Sequence, residues 1–176
     1  MKRFAMSVIG LLTLLALTPA LAADHPQVLP GWNPEPFSDF TLPAGTYCPF
    51  ALKLDILRND AIGAITKTYP DGSTQEKVLM GPQLIRVSNV ETGKSTVTFL
   101  DGIQIIDYAT DGSIELTNLG KNMVGFLAGD DFPAGFYFID GYHLVDYAPG
   151  FASRHMASAI GVETNYCETL KGRKHD

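Results

Sequence analysis

From Thr41 onward the chain alternates apolar and polar residues in short runs. In "FALKLDI", Phe50, Leu52, Leu54 and Ile56 fall on one side and Ala51, Lys53 and Asp55 on the other. That period of two puts successive side chains on opposite faces of a strand. Turn-forming residues punctuate the runs. "AIGAITKTY" and "TQEKVLM" flank "PDGS", "QLIRVSNV" and "STVTFL" flank "ETGK", and "GIQIIDY" and "SIELTNL" flank "ATDG". "MVGFLA" and "GFYFID" then flank "GDDFPA". Each insert supplies a Gly that accepts the positive φ of a tight turn, so four hairpins are predicted. Asp140-Gly141, followed at once by "YHLVDYA", predicts a fifth turn. In the tail "FASRHMASAIGVETNYCETL" the alanines allow a helix, but Ile160, Val162 and Thr164 favour a last strand.

No segment shows helical periodicity, so the expected fold is all-β. Sequential hairpins predict an antiparallel up-and-down barrel or a sandwich of about 8–10 short strands. A faint echo runs through the middle: "FLDGIQIIDYATDG" from Phe99 resembles "FIDGYHLVDYAPG" from Phe138. "LPAGTYC" similarly resembles "FPAGFYF". Two local copies make neither a propeller nor a solenoid.

The first 22 residues read differently. Lys2 and Arg3 precede an apolar run, Val8 to Leu17, and Ala20-Leu21-Ala22 places small residues where a signal peptidase cuts. That run is shorter than the roughly 20 residues a bilayer-spanning helix needs. A lipoprotein would carry Cys after the box, where this chain has Ala23-Asp24. The expectation is a secreted, extracellular protein with no stable membrane anchor after cleavage. It is divided into a signal peptide (1–22), a Pro-rich leader (23–40) holding Trp32, one β domain (41–170) and a charged tail (171–176).

Export changes the reading of Cys48 and Cys167, the only two cysteines. In an oxidising compartment such a pair is one structural disulfide, here stapling the first strand to the last. Without the signal's Lys2 and Arg3 the net charge moves from −6 to −8. A surface that acidic argues against nucleic acid or anionic lipid as a partner.

Catalytic and metal motifs are sparse. His25 and His175 fall in the termini, leaving His143 and His155 as candidate bases for a hydrolase, with Asp107, Asp140, Asp146 and Ser153 as partners. Neighbouring residues such as Ser153-Arg154-His155 seldom share one face of a strand, and no G-x-S-x-G is present. Both histidines are read as ordinary strand or loop residues. No paired His/Cys spacing points to a metal, no motif points to a cofactor, and turn chemistry accounts for Asp71, Asp111 and Asp130-Asp131. Asp107-Tyr108 and Asp146-Tyr147 occupy equivalent places in the echo. With Phe136, Phe138 and Tyr142 they are the candidate lining of a ligand site if the interior is hollow, and ordinary core and rim if it is filled. The filled interior is the expectation.

"FTLPAGTYCPFALKLDILRN" resembles the opening of a set of small exported actinobacterial proteins of uncharacterised function. In these a Pro-Ala-Gly turn precedes a Cys, an aromatic residue and an alternating strand, and a second Cys lies near the C-terminus. The matching residues are Pro43, Ala44, Gly45, Cys48, Phe50, Asn59 and Cys167. The resemblance implies secretion and the Cys48–Cys167 pairing, but no activity. The function expected is a non-catalytic binding or interaction module, for a small apolar ligand or a cell-surface partner. The alternatives are an extracellular hydrolase using His143 or His155, and a structural component of the cell envelope.

Overall fold

The computed structural model describes residues 31–172. The signal peptide, the first part of the leader and the last four residues lie outside the described residues. Among the described residues twelve strands form two antiparallel sheets. They are β1 (Asn33–Pro34), β2 (Phe40–Leu42), β3 (Leu52–Asn59), β4 (Ile62–Thr68), β5 (Thr74–Met80) and β6 (Gln83–Asn89). The rest are β7 (Ser95–Leu100), β8 (Ile103–Tyr108), β9 (Ile114–Leu119), β10 (Asn122–Phe126), β11 (Gly135–Tyr147) and β12 (Arg154–Asn165). A 3-10 turn (Pro149–Phe151) lies between β11 and β12, and a short α-helix, α1 (Tyr166–Thr169), comes after β12.

The four hairpins are present as β4–β5, β6–β7, β8–β9 and β10–β11. The fifth turn is not. Asp140 and Gly141 lie inside the 13-residue β11, where Gly141 pairs with Gly161 and its N–H and C=O exchange hydrogen bonds with Gly120. The tail is a strand, β12, as its β-branched residues favoured.

β11 and β12 are longer than the sequence suggested, and other strands follow one another end to end across bends. β3 runs into β4, β5 into β6, β7 into β8 and β9 into β10 through two-residue breaks. These breaks lie side by side: Asp60 N–H donates to Pro82 C=O, and Gly102 N–H to Lys121 C=O. The result is a crease lined by Gly81, Gly102, Gly120 and Gly141. At Gly81 (φ +114°) the backbone needs the left-handed region, and at Gly102 a Cβ would strike Leu119 C=O and the Asn122 side chain. Glycine inside a strand marks such close backbone approach.

On one side of the crease the larger sheet is continuous, in the order β1-β4-β5-β8-β9-β11-β12, with β10 pairing the start of β11 on the same edge that β9 pairs further along. On the other side the smaller sheet, β2-β3-β6-β7, separates from β10 and packs over it. The two sheets form an open sandwich rather than a closed barrel, because β7 and β10 never pair. Leu52, Leu54, Ile85, Val87 and Leu100 of the smaller sheet bury against Phe136, Tyr166 and Leu170. A second core of Val124, Phe126, Tyr137, Ile139 and Val145 is completed by Phe132 from the β10–β11 loop. The start of β11 is therefore buried on both faces, which explains the unbroken apolar run "GFYFI".

Cys48 and Cys167 are bonded, with Cα atoms 5.1 Å apart. The bond ties the turn before β3 to α1 rather than strand to strand. The leader is also partly built in: β1 pairs with β4 and β2 with β3, giving each sheet a short edge strand. Among the described residues no helix is long and apolar enough to cross a membrane.

Candidate functional site

The echoed segments flank β9. Tyr108 and Tyr147 both stand opposite Ile114, and Asp107 and Asp146 both stand opposite Glu115. Successive residues point to opposite faces, so the tyrosines lie on one face of the sheet and the carboxylates on the other.

On the tyrosine face is a cleft of about 370 Å³. Its floor is Ile106, Ile114 and Leu116, set side by side by the β8–β9 register. Tyr108, Tyr147, Tyr47 and Phe151 wall it, and Gln104 closes one end. Phe151 comes directly after Gly150 and has φ +61°, a conformation that costs a bulky residue on the order of 1–3 kcal/mol. It holds the Phe151 ring edge-on to Tyr147, with centroids 5.6 Å apart.

Arg154 forms the polar part of the wall. Its guanidinium lies 5.8 Å from the Tyr47 ring centroid and 5.5 Å from that of Tyr147, both within cation–π range. Its Nη1 is 3.5 Å from Asp130 Oδ2, and the two side chains are only 9% and 3% exposed. Asp130 also accepts the backbone N–H groups of Leu127 and Arg154. Burial pushes the Tyr147 hydroxyl up to about 12, and Arg154 only partly offsets that rise. Tyr147 is thus a neutral group that donates or accepts a hydrogen bond at physiological pH.

The other predicted lining residues are dispersed. Asp107 and Asp146 line a neighbouring cleft that shares Tyr108, Ile114 and Tyr147 with the first. With Glu76 and Glu115 they make a row of carboxylates across β5, β8, β9 and β11, and no group of the described residues has the arrangement of a metal site. Phe136 is buried beneath Tyr47, Phe138 lies in a groove along β7, and Tyr142 is exposed between Leu119 and Ile160.

His143 is fully buried, with Nε2 2.6 Å from Glu163 Oε1, in register with the equally buried Asn118. His155 is exposed and bonded to Asp131. No hydroxyl or thiol of the described residues hydrogen-bonds either ring. Sequence reasoning missed Tyr47, Gln104, Phe151 and the pairing of Arg154 with Asp130. Only the tyrosine echo pointed to this cleft.

The chain matches no protein-family model, no curated protein and no solved structure.

Proposed function

We propose that the chain is a non-catalytic, exported ligand-binding module whose site is the aromatic cleft. The observation that carries this reading is Arg154, held nearly buried between the rings of Tyr47 and Tyr147 on the wall of an otherwise apolar recess. Ligand sites combine mostly apolar walls with a few fixed polar groups, and this one offers the Tyr147 hydroxyl, Gln104 and the guanidinium edge. Because Asp130 already neutralises Arg154, the cleft suits a compact ring-bearing molecule with polar substituents better than a strong anion. Export rests on Lys2, Arg3, the Val8–Leu17 run and the Ala20-Leu21-Ala22 box, together with the resemblance to small exported actinobacterial proteins. The Cys48–Cys167 bond is compatible with it.

Ligand-observed NMR with a library of ring-containing fragments tests the proposal. Hits should compete with one another and vanish in Tyr108→Ala and Phe151→Ala, whose folds are checked by circular dichroism. Folded variants that still bind the same fragments would rule this cleft out.

A further inference from the structure

A separate space lies between the two sheets, on the far side of Gln104 from the aromatic cleft. Leu54, Ile56 and Ile85 of the smaller sheet form one wall, and Met123 and Phe136 of β10 and β11 the other, around a cavity of about 240 Å³. An enclosed apolar space of about 150 Å³ already accommodates benzene. This one therefore has room for a ring carrying a short alkyl chain.

Three side-chain amides line it: Gln83, Gln104 and Asn122. Each donates from its nitrogen to the protein. Gln83 donates to Asn59 Oδ1, Gln104 to Asn118 Oδ1, and Asn122 to the carbonyls of Ile103 and Leu119. None of the three amide oxygens receives a hydrogen bond from the described residues. Gln83 and Gln104 each keep one N–H, and the cavity thus combines apolar walls with three unengaged amide oxygens.

The mouth is covered by the chain between β1 and β2. Glu35 anchors one end through its N–H to Ala61 C=O, its own C=O to the Asn59 amide, and its carboxylate to Lys77. Asp39 anchors the other by accepting the Ile56 N–H. Residues Pro36, Phe37 and Ser38 between them make no hydrogen bond within the described residues. Phe37 lines the cavity while remaining 43% exposed, and Phe40 beside it is 44% exposed. Apolar rings so exposed at the rim of an apolar cavity are covers rather than core.

We infer that the inter-sheet cavity under Phe37 is a second ligand site, for a small apolar molecule carrying a hydrogen-bond donor, of the alkylphenol type. The amide oxygens take the donor, the Leu54–Ile85 wall takes the ring and chain, and Phe37 moves aside on its three-residue strap to admit them. This site does not depend on the reading of the aromatic cleft. Gln104 borders both, so the test uses other residues.

Isothermal titration of the mature protein with 4-propylphenol, and with 4-propyltoluene in which a methyl replaces the hydroxyl, decides the matter. The phenol should bind at least about tenfold more tightly, because a site built around hydrogen bonding rejects an analogue that cannot make the bond. Gln83→Met should shrink that ratio to about threefold or less while leaving the toluene's affinity unchanged, the loss of one acceptor among three. Ile56→Trp should block both ligands, Phe37→Ala should speed dissociation of both, and Tyr108→Ala should change neither. Equal affinity for the two ligands, no binding to the folded wild type, or loss of binding in Tyr108→Ala would each overturn the inference. Should Ile56→Trp fail to fold, Gln83→Met and Tyr108→Ala still decide it.

Discussion

Replacing Asp130 should damage this protein more than replacing the Arg154 it pairs with. The Asp130 carboxylate accepts the Leu127 N–H at 2.6 Å and the Arg154 N–H at 2.8 Å, and faces the guanidinium at 3.5 Å. It pins the β10–β11 loop to the start of β12 and keeps Phe132 in the second core. Asp130→Ala leaves two backbone donors without partners and a nearly buried cation without its counter-charge. Orphaned buried groups cost roughly 1–3 kcal/mol each, and breaking one side of a buried pair about 3–5 kcal/mol. These losses overlap, so we expect about 3–5 kcal/mol in all. Arg154→Met leaves the carboxylate still accepting both N–H groups, and forfeits two cation–π contacts worth roughly 0.5–1 kcal/mol each. We expect about 1–2 kcal/mol for it, with Asp130→Asn in between. Urea unfolding with the disulfide intact measures all three. If Arg154→Met cost as much as Asp130→Ala, the guanidinium would be the anchor and the reasoning about the loop would be wrong.

The same geometry sets three further outcomes. Cys48→Ser/Cys167→Ser opens a covalent loop with a sequence separation of 119 residues. The chain-entropy argument gives a loss of roughly 4–5 kcal/mol, readable as a lower urea midpoint; an unchanged midpoint would contradict it. The folded state holds the Tyr147 proton up to about pH 12, whereas an unfolded tyrosine releases it near 10. Stability from this group is therefore complete below about pH 10 and falls by up to roughly 2–3 kcal/mol as the pH rises to 12. Alkaline unfolding monitored at 295 nm should show that slope in the wild type and a smaller one in Tyr147→Phe, where the burial that also raises Tyr137 and Tyr166 still acts. Finally, a Cβ on Gly125 would overlap the Tyr47 ring. Gly125→Ala should cost roughly 1–3 kcal/mol alone and much less in a Tyr47→Ala background, a coupling that a double-mutant cycle reads directly.

The alternation and hairpins were legible because both are local. At Asp71-Gly72-Ser73 and Asp111-Gly112-Ser113 the aspartate Oδ1 accepts the N–H and the hydroxyl of the serine two residues on. That closes an Asx turn, which the three-residue sequence specifies unaided. Asp101-Gly102-Ile103 and Asp140-Gly141-Tyr142 share the dipeptide but have no serine, and both lie at the crease, the first in the break between β7 and β8 and the second inside β11 with the ladder running past it. In this chain the residue after an Asp-Gly pair is therefore what separates a turn from a bend, which is why the fifth turn was misplaced. The crease itself was hidden for a related reason: it depends on glycines meeting from separate strands, and no local window contains two of them.

The cleft was illegible on stronger grounds. Its walls come from the turn before β3, from β8, β9, β10 and β11, from the turn after β11 and from the first residue of β12. Tyr47 and Arg154, which meet there, are 107 residues apart. Two long-range ties help to bring them together. The disulfide fixes Cys48, next to Tyr47, to α1, and α1 directly succeeds β12, the strand that Arg154 begins. Asp130 then draws that same first residue against the β10–β11 loop. The stapling inferred from the cysteines alone is thus also what positions one wall of the site. Cutting the disulfide should consequently loosen Tyr47 over Arg154 before it unfolds the sheets, and fragment binding at the cleft should weaken in reduced protein whose far-ultraviolet dichroism is still native. Binding lost only in step with the dichroism would show that the sheets hold Tyr47 without the bond.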